Sequence, residues 1–170
     1  MIHNYEIEYK NVKLRQLEER DIESLRDWRN DSANTKYLRK IPFITWEMQR
    51  NWYHSYLNNL EEITFAVEEK ETLRCLVGSL SLSNIEGGKA EVGKILIGEK
   101  RAHGKKVGVN ALSAVLKIAK NTLDLREIYL YVSADNIPAL KVYRETGFSI
   151  DDSYRDEENR LEYRMVVRLV

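Results

Sequence analysis

The apolar run Ile95-Leu96-Ile97 stops at Gly98, and apolar residues resume at helical spacing from Val107. Between them lies Glu99-Lys100-Arg101-Ala102-His103-Gly104-Lys105-Lys106, with Gly108 just beyond. A strand that turns through glycines into a helix commits the chain to an α/β architecture. It also creates a place for an anion. The first amides of a helix lack internal partners, and the helix dipole puts partial positive charge there. Glycine lets the backbone approach the anion, and lysines add full charge.

The rest of the chain supplies the elements such a unit needs. Val12, Leu14 and Leu17 mark a first strand, and Ile22, Leu25 and Trp28 a first helix with Asp21 as its cap. Thr45 opens a second helix after Pro42. Strands are expected over 63–68, 73–83 and 89–97, with a hairpin turn at 84–88. A third helix carries Val107, Ala111, Leu112, Val115, Ile118 and Ala119 on one stripe. A strand over 126–133 follows, then a helix capped by Asn136 and closed by Gly147, then strands over 148–154 and 161–169.

Composition narrows the class. The 170 residues fit one domain, and 27 basic residues balance 27 acidic ones, so bulk charge points to neither nucleic acid nor membrane as partner. A single cysteine, Cys75, excludes an internal disulfide. Met1 to Glu6 lacks the apolar core of a signal peptide, and no run reaches the roughly 20 apolar residues of a membrane span. A cytoplasmic protein is the expectation. His3, His54 and His103 show no metal-ligand spacing with each other or with Cys75, so no metal is expected.

The glycine turn is not a nucleotide-hydrolysing P-loop. That motif has four residues between its glycines and a hydroxyl after its lysine. Here five residues separate Gly98 from Gly104, and Lys106 follows Lys105. No GxGxxG dinucleotide fingerprint occurs either. Residues 91–148 instead resemble the core of the GNAT acetyltransferase superfamily, in the branch of ribosomal-protein and spermidine acetyltransferases. His103-Gly104-Lys105-Lys106-Val107-Gly108 is similar to the branch's (Arg/Gln)-Gly-x-Gly-x-(Gly/Ala) pyrophosphate loop. The segment from Asn136 to Phe148 is similar to its Asn-x-x-Ala-x-x-x-Tyr-x-x-x-Gly-Phe motif. Two positions depart: His103 stands for Arg or Gln, and Lys106 for the central glycine. Lys106 could crowd the diphosphate or pair with it.

The resemblance implies a single N-acetyltransferase domain over residues 1–170. Its α/β fold is a mixed, strongly twisted sheet of about seven strands flanked by about four helices, splayed at strands four and five. It implies acetyl-CoA as cosubstrate. His103, Gly104, Lys105, Lys106, Val107 and Gly108 would hold the pyrophosphate, backbone groups of Leu96 and Ile97 the pantetheine arm, and Asn136 and Tyr143 would lie beside the cofactor. The substrate amine attacks the thioester directly, so two proton transfers remain. Tyr143 is the expected acid toward the leaving sulfur. Glu91, in an apolar strand, is the candidate base, directly or through water, with a solvated carboxylate as the alternative.

The acceptor should be met by the first two helices. Tyr37, Phe43, Trp46, Trp52, Tyr53 and Tyr56 crowd there; most must be core, and one or two could wall a pocket. Asp27-Trp28-Arg29-Asn30-Asp31, with Tyr37-Leu38 and Ile44-Thr45, resembles acetyltransferases of amino-sugar nucleotides, including the pseudaminic-acid branch. Trp28 and Arg29 are therefore candidate substrate contacts, and Ser79 and Ser81, on one face of the third strand with Ser83, are candidates to line the cleft. The expected partner is a small-molecule amine, a nucleotide-linked amino sugar among the options. A protein N-terminus or lysine as acceptor, a non-catalytic acyl-CoA-binding module, and homodimerisation all stay open.

Overall fold

The computed structural model describes residues 1–37 and 42–170. Two short strands, β1 (Ile7–Tyr9) and β2 (Val12–Gln16), precede a 3-10 turn at Glu19–Asp21 and three helices: α1 (Ile22–Asn30), α2 (Ser32–Thr35) and α3 (Trp46–Asn58). Strands β3 (Glu62–Glu69), β4 (Cys75–Glu86) and β5 (Lys89–Ile97) form a meander. A 3-10 turn at Lys100–Ala102 leads into α4 (Val107–Asn121). Then come β6 (Glu127–Ser133), α5 (Ile137–Glu145), β7 (Ser149–Arg155) and β8 (Leu161–Arg168). The eight strands make one sheet in the order β1-β2-β3-β4-β5-β6-β8-β7.

The expected α/β architecture is present with one more strand and one more helix. β1 is short, and it pairs with β2 across the two-residue turn Lys10-Asn11, where Lys10 takes φ 51°. Three residues carry too little alternation to be read as a strand. α2 is a single turn that Asp31 caps through Ala33 N–H, with no apolar stripe to announce it. Thr45 does cap α3, accepting from Met48 N–H. Asp21 does not cap α1 with its side chain. Its buried carboxylate instead takes two bonds from Arg15, at 2.7 and 2.9 Å, and one from Glu18 N–H.

Both faces of the sheet are covered. On one, α4 packs Val107, Ala111, Leu112, Val115 and Ile118 against Val12, Leu14, Phe65, Val77, Leu80 and Leu82. Full burial of each large aliphatic there contributes roughly 1.5–3 kcal/mol. On the other, Leu17, Ile22, Leu25, Tyr53 and Tyr56 gather around Ala66 under α1 and α3. The period-two alternation of β3 sends Phe65 and Val67 to the first core and Ala66 to the second.

The sheet opens between β5 and β6. These strands pair in parallel over Lys89–Glu91 and Glu127–Tyr129 alone. Beyond Glu91, β5 bends away. A bulge against β4 lies between the Ser81–Gly93 and Ser79–Leu96 pairs, and Lys94 inside it takes φ 50°. An extra residue in one strand kinks it and increases its twist. The carboxyl ends of β5 and β6 therefore diverge, and the starts of α4 and α5 stand over the gap.

Candidate active site

The gap is the mouth of a cavity of about 1030 Å³, at the top of the range for small-ligand sites. It runs from the start of α4, along β5 and past α5, to a wall built by α1, α3 and β4. Most of the positions singled out in the sequence meet here: Arg29, Ser79, Ser81, Leu96, Ile97, His103, Gly104, Lys106, Val107, Gly108, Asn136 and Tyr143 all line it.

At one end, α4 begins with its amides uncapped. Lys106 occupies the N-cap in the left-handed region, φ 57° and ψ 19°, and its side chain caps nothing. The residue in the central-glycine position has thus adopted the backbone that glycine takes without strain. Its ammonium turns away to Glu145 on α5, 3.0 Å from the carboxylate, in an exposed ion pair. Val107, Gly108 and Val109 keep N–H groups that no helical carbonyl can reach. Lys105 does not join the lining, contrary to expectation. Its carbonyl accepts from Asn11 Nδ2 at 3.0 Å, and Asn11 Oδ1 accepts from buried Asn110 at 2.6 Å. This asparagine pair ties the loop to the β1–β2 turn, which aims the amides that follow.

Along β5 the splay leaves an unpaired edge. Gly98 N–H donates to Val77 on β4, so alternation turns Leu96 toward β4 and Ile97 toward the gap. A Cβ on Gly78 would overlap the Leu96 carbonyl oxygen, which also leans that way. Both residues expected to meet a pantetheine arm line the cavity; the backbone of Ile97 faces the slot and that of Leu96 is turned to β4. His103 Nε2 lies 3.1 Å from the Ile97 carbonyl, and since a carbonyl only accepts, that nitrogen carries the proton.

Across the gap, Asn136 caps α5 through Ala139 N–H at 3.2 Å. Two turns on, Tyr143 is 9% exposed, its ring against Phe148. Burial pushes its phenol up to about 12. Among the described residues its hydroxyl has no hydrogen-bond partner. Glu91 sits elsewhere. It is not among the lining residues: it lies near the paired end of β5, on the strand face of Gly93, and accepts from Asn84 Nδ2 at 2.9 Å. The strands that flank this carboxylate are still joined at that point, so it stands at the closed end of the gap.

The far wall is polar and charged. Ser79 and Ser81 are buried in it, and Ser81 Oγ lies 2.9 Å from Thr64 Oγ1. Glu62 accepts from Lys94 Nζ at 2.6 and 2.8 Å and from Thr64 Oγ1 at 3.0 Å. Sequence reasoning missed Glu62, Thr64 and Lys94; the signal was a lysine in the otherwise apolar run Val92–Ile97. Arg29 lines this wall from the last turn of α1. Trp28 does not, correcting the expected substrate contact. Its ring packs so tightly on Gly98 that a Cβ there would overlap it, and this fixes α1 to the end of β5. Asn30 locks the same helix end to Ile44, donating at 2.9 Å and accepting at 2.8 Å. Of the six crowded aromatics, Tyr53 and Tyr56 are core, Tyr37 and Trp52 line the cavity, and Phe43 and Trp46 are exposed. Leu38 lies outside the described residues. Among the described residues, no group of three His, Cys, Asp or Glu could hold a metal ion, and no helix is long and apolar enough to cross a membrane.

A mixed sheet splayed beside an uncapped helix start, with a slot along the free strand edge, is the framework of an acyl-CoA-dependent acetyltransferase. The family model described as the acetyltransferase (GNAT) domain matches residues 11–149, and the chain belongs to this family. Acetyl-CoA is the family's acetyl donor. An uncharacterised protein of Methanocaldococcus jannaschii is 31% identical over 153 residues, covering 89% of this chain. The chain spans 31% of that relative's length. Spermidine N(1)-acetyltransferase of Escherichia coli is 25% identical over 147 residues, 86% of this chain and 77% of that protein. Acetyltransferase PseH of Campylobacter jejuni is 25% identical over 141 residues, 83% and 85% of the two. The crystal structure of spermidine N-acetyltransferase from Vibrio cholerae with CoA and spermine has the same fold, with a TM-score of 0.81 at 22% identity over 93% of this chain and 95% of that one.

Proposed function

We propose that this chain moves the acetyl group of acetyl-CoA directly onto a primary amine, with the diphosphate at the start of α4 and the thioester beside Tyr143. The observation that carries this reading is the pairing of two features on one cavity: uncapped amides at Val107–Val109 and a buried phenol without a partner at Tyr143. Helix-start amides suit a diphosphate, with His103, Gly104 and Lys106 around them. The free edge at Ile97 suits an extended amide-bearing arm, which adds to it as a strand would. Asn136 holds the start of α5, and so the face that presents Tyr143. Because Lys106 is tethered to Glu145, diphosphate binding has to draw its ammonium away from that carboxylate.

The acceptor must arrive as a free amine, since an ammonium has no lone pair, and a lysine-like amine titrates near ~10. Its nitrogen attacks the thioester carbonyl, the C–S bond breaks, and the sulfur takes up a proton. Tyr143 is a donor throughout the neutral range, because burial keeps the phenol protonated. The same burial raises the pKa of a thiolate leaving into that pocket, which brings donor and acceptor closer. Glu91 can receive the amine's proton only through a chain of water, given its place outside the lining. A nucleotide-linked amino sugar fits the size and polarity of the acceptor wall.

Tyr143→Phe tests the assignment. The expected result is a kcat lowered about 100-fold with CoA affinity within about twofold, because the ring and its packing persist while the donor is lost. An unchanged kcat removes Tyr143 as the acid. Failure of CoA to bind by calorimetry removes the whole reading.

A further inference from the structure

Among the described residues, every half-buried arginine has an acidic partner except one. Arg15 pairs with Asp21 and Glu68, Arg26 with Asp27, and Arg164 with Asp151 and Glu127. Arg29 lines the acceptor wall, and its guanidinium makes no hydrogen bond or ion pair among the described residues. The four residues not described, Leu38, Arg39, Lys40 and Ile41, contain no carboxylate that could serve it.

The one carboxylate whose field reaches Arg29 is Glu62. That group is already spent. Lys94 holds both of its oxygens, and the hydroxyls of Thr64 and Ser81 hold one. Arg29 and Lys94, which line the cavity, and Glu62, which pairs with Lys94 without lining it, together leave one positive charge on this side. Burial disfavours this charge and pushes the Arg29 pKa down, with Glu62 opposing. A desolvated cation recovers that cost only when an anion docks, and a guanidinium offers a planar fork that matches carboxylate or phosphate.

We propose that the acceptor carries an anionic group, a phosphate or a carboxylate, that docks on Arg29 while its amine faces the thioester. The proposal rests on the amine-acetylation reading above and narrows its substrate class. Arg29 selects this acceptor over a polycation, which would place a second ammonium against an unbalanced guanidinium. Lys94 adds to the selection by placing its own ammonium on the lining while it neutralises Glu62, which is not itself a lining residue. The hydroxyl of Ser79 is left for an uncharged polar group of the acceptor.

The test compares kcat/KM, by CoA release, for glucosamine, glucosamine 6-phosphate, a UDP-linked amino sugar, β-alanine, β-alanine amide and spermidine. Glucosamine is the reference for the two phosphate-bearing probes and β-alanine amide for β-alanine, so the phosphate and carboxylate sources are separated. At least one anionic member should exceed its neutral counterpart by roughly tenfold or more, with spermidine below both. Arg29→Gln should erase most of that ratio through KM and leave calorimetric CoA affinity within about twofold, which also shows that the variant folds. Arg29→Lys should recover part of it. Spermidine as the best acceptor, or a ratio unmoved by Arg29→Gln, overturns the proposal. If CoA binds but no amine is acetylated, the catalytic reading fails, and calorimetry of glucosamine 6-phosphate against glucosamine on the CoA-saturated protein decides the proposal. Equal binding of the two then overturns it.

Discussion

Tyr143 and Glu69 show how two titratable groups with little exposed surface acquire opposite chemistry from their neighbours. Tyr143 is enclosed by apolar neighbours and has no partner, so its phenol is pushed up to about 12. Glu69 is 1% exposed, yet its carboxylate accepts from the N–H groups of Glu71, Thr72 and Leu73 and from the Thr72 hydroxyl. Those donors overcome desolvation and hold it down at about 2, against 4.5 ordinarily. A carboxyl depressed by folding contributes stability above its unfolded pKa and loses it as pH falls through the folded one. The contribution is at most about 3 kcal/mol and should disappear between pH 4.5 and about 2. Glu69→Gln should cost about 2 kcal/mol at neutral pH and flatten urea stability across that acid window. A variant as acid-sensitive as the parent would mean that other carboxylates carry the transition. In the sequence, neither residue announces its state: Glu69 sits among Glu68, Lys70 and Glu71 and reads as solvated. Only the turn that folds back over it turns it into a cap. Tyr143 stood out through its motif alone, and Glu91 drew attention through alternation that says nothing about where the sheet opens.

At the scale of elements, α4 and its preceding loop were the most legible part of the chain. A buried stripe at 3.6-residue spacing and a glycine-bounded turn are local signals, and both ends of the helix follow from them. What local pattern could not give was the conformation of Lys106. Left-handed backbone costs an L-residue roughly 1–2 kcal/mol, and a β-branched side chain suffers most. Lys106→Val should therefore be less stable than Lys106→Gly by about 1–2 kcal/mol in urea unfolding. Lys106→Gly should stay within about 1 kcal/mol of the parent, because relief of strain offsets the added chain entropy and the lost exposed ion pair with Glu145. Its CoA affinity should fall only a few-fold by calorimetry, in line with the roughly 0–1 kcal/mol that an exposed ion pair contributes. A loss above 100-fold would show that the ammonium, and not the amides, holds the diphosphate. Strand β1 and helix α2 were invisible for the opposite reason. Each is too short to display a period, and each exists because β2 and Asp31 give it partners.

For the molecule as a whole, the functional gap is a property of the sheet and belongs to no single strand. β5 joins β6 at Lys89–Glu91, parts from it at the Lys94 bulge, and presents its free edge to the starts of α4 and α5. A ligand that bridges these elements should stabilise the native state by about 2.7 kcal/mol at a concentration 100 times its Kd. For a chain of this size that raises Tm by roughly 5–10 °C. Amide exchange should slow at Ile95–Ile97 and Val107–Val109 and stay unchanged in the β1–β2 hairpin. Protection spread evenly over the sheet would argue against a local bridge. The sequence by itself determined the order of the long elements, the α4 stripe, the caps at Thr45 and Asn136 and the family, because these rest on local periodicity, capping chemistry and spacing. Tertiary structure alone decided which candidates meet. It packed Trp28 onto Gly98, turned Leu96 to β4, kept Glu91 on the joined part of the sheet, and left Arg29 without an acid. Those outcomes depend on register, on one bulge and on which charges find each other across the fold, and none of these is a property of neighbours in the chain.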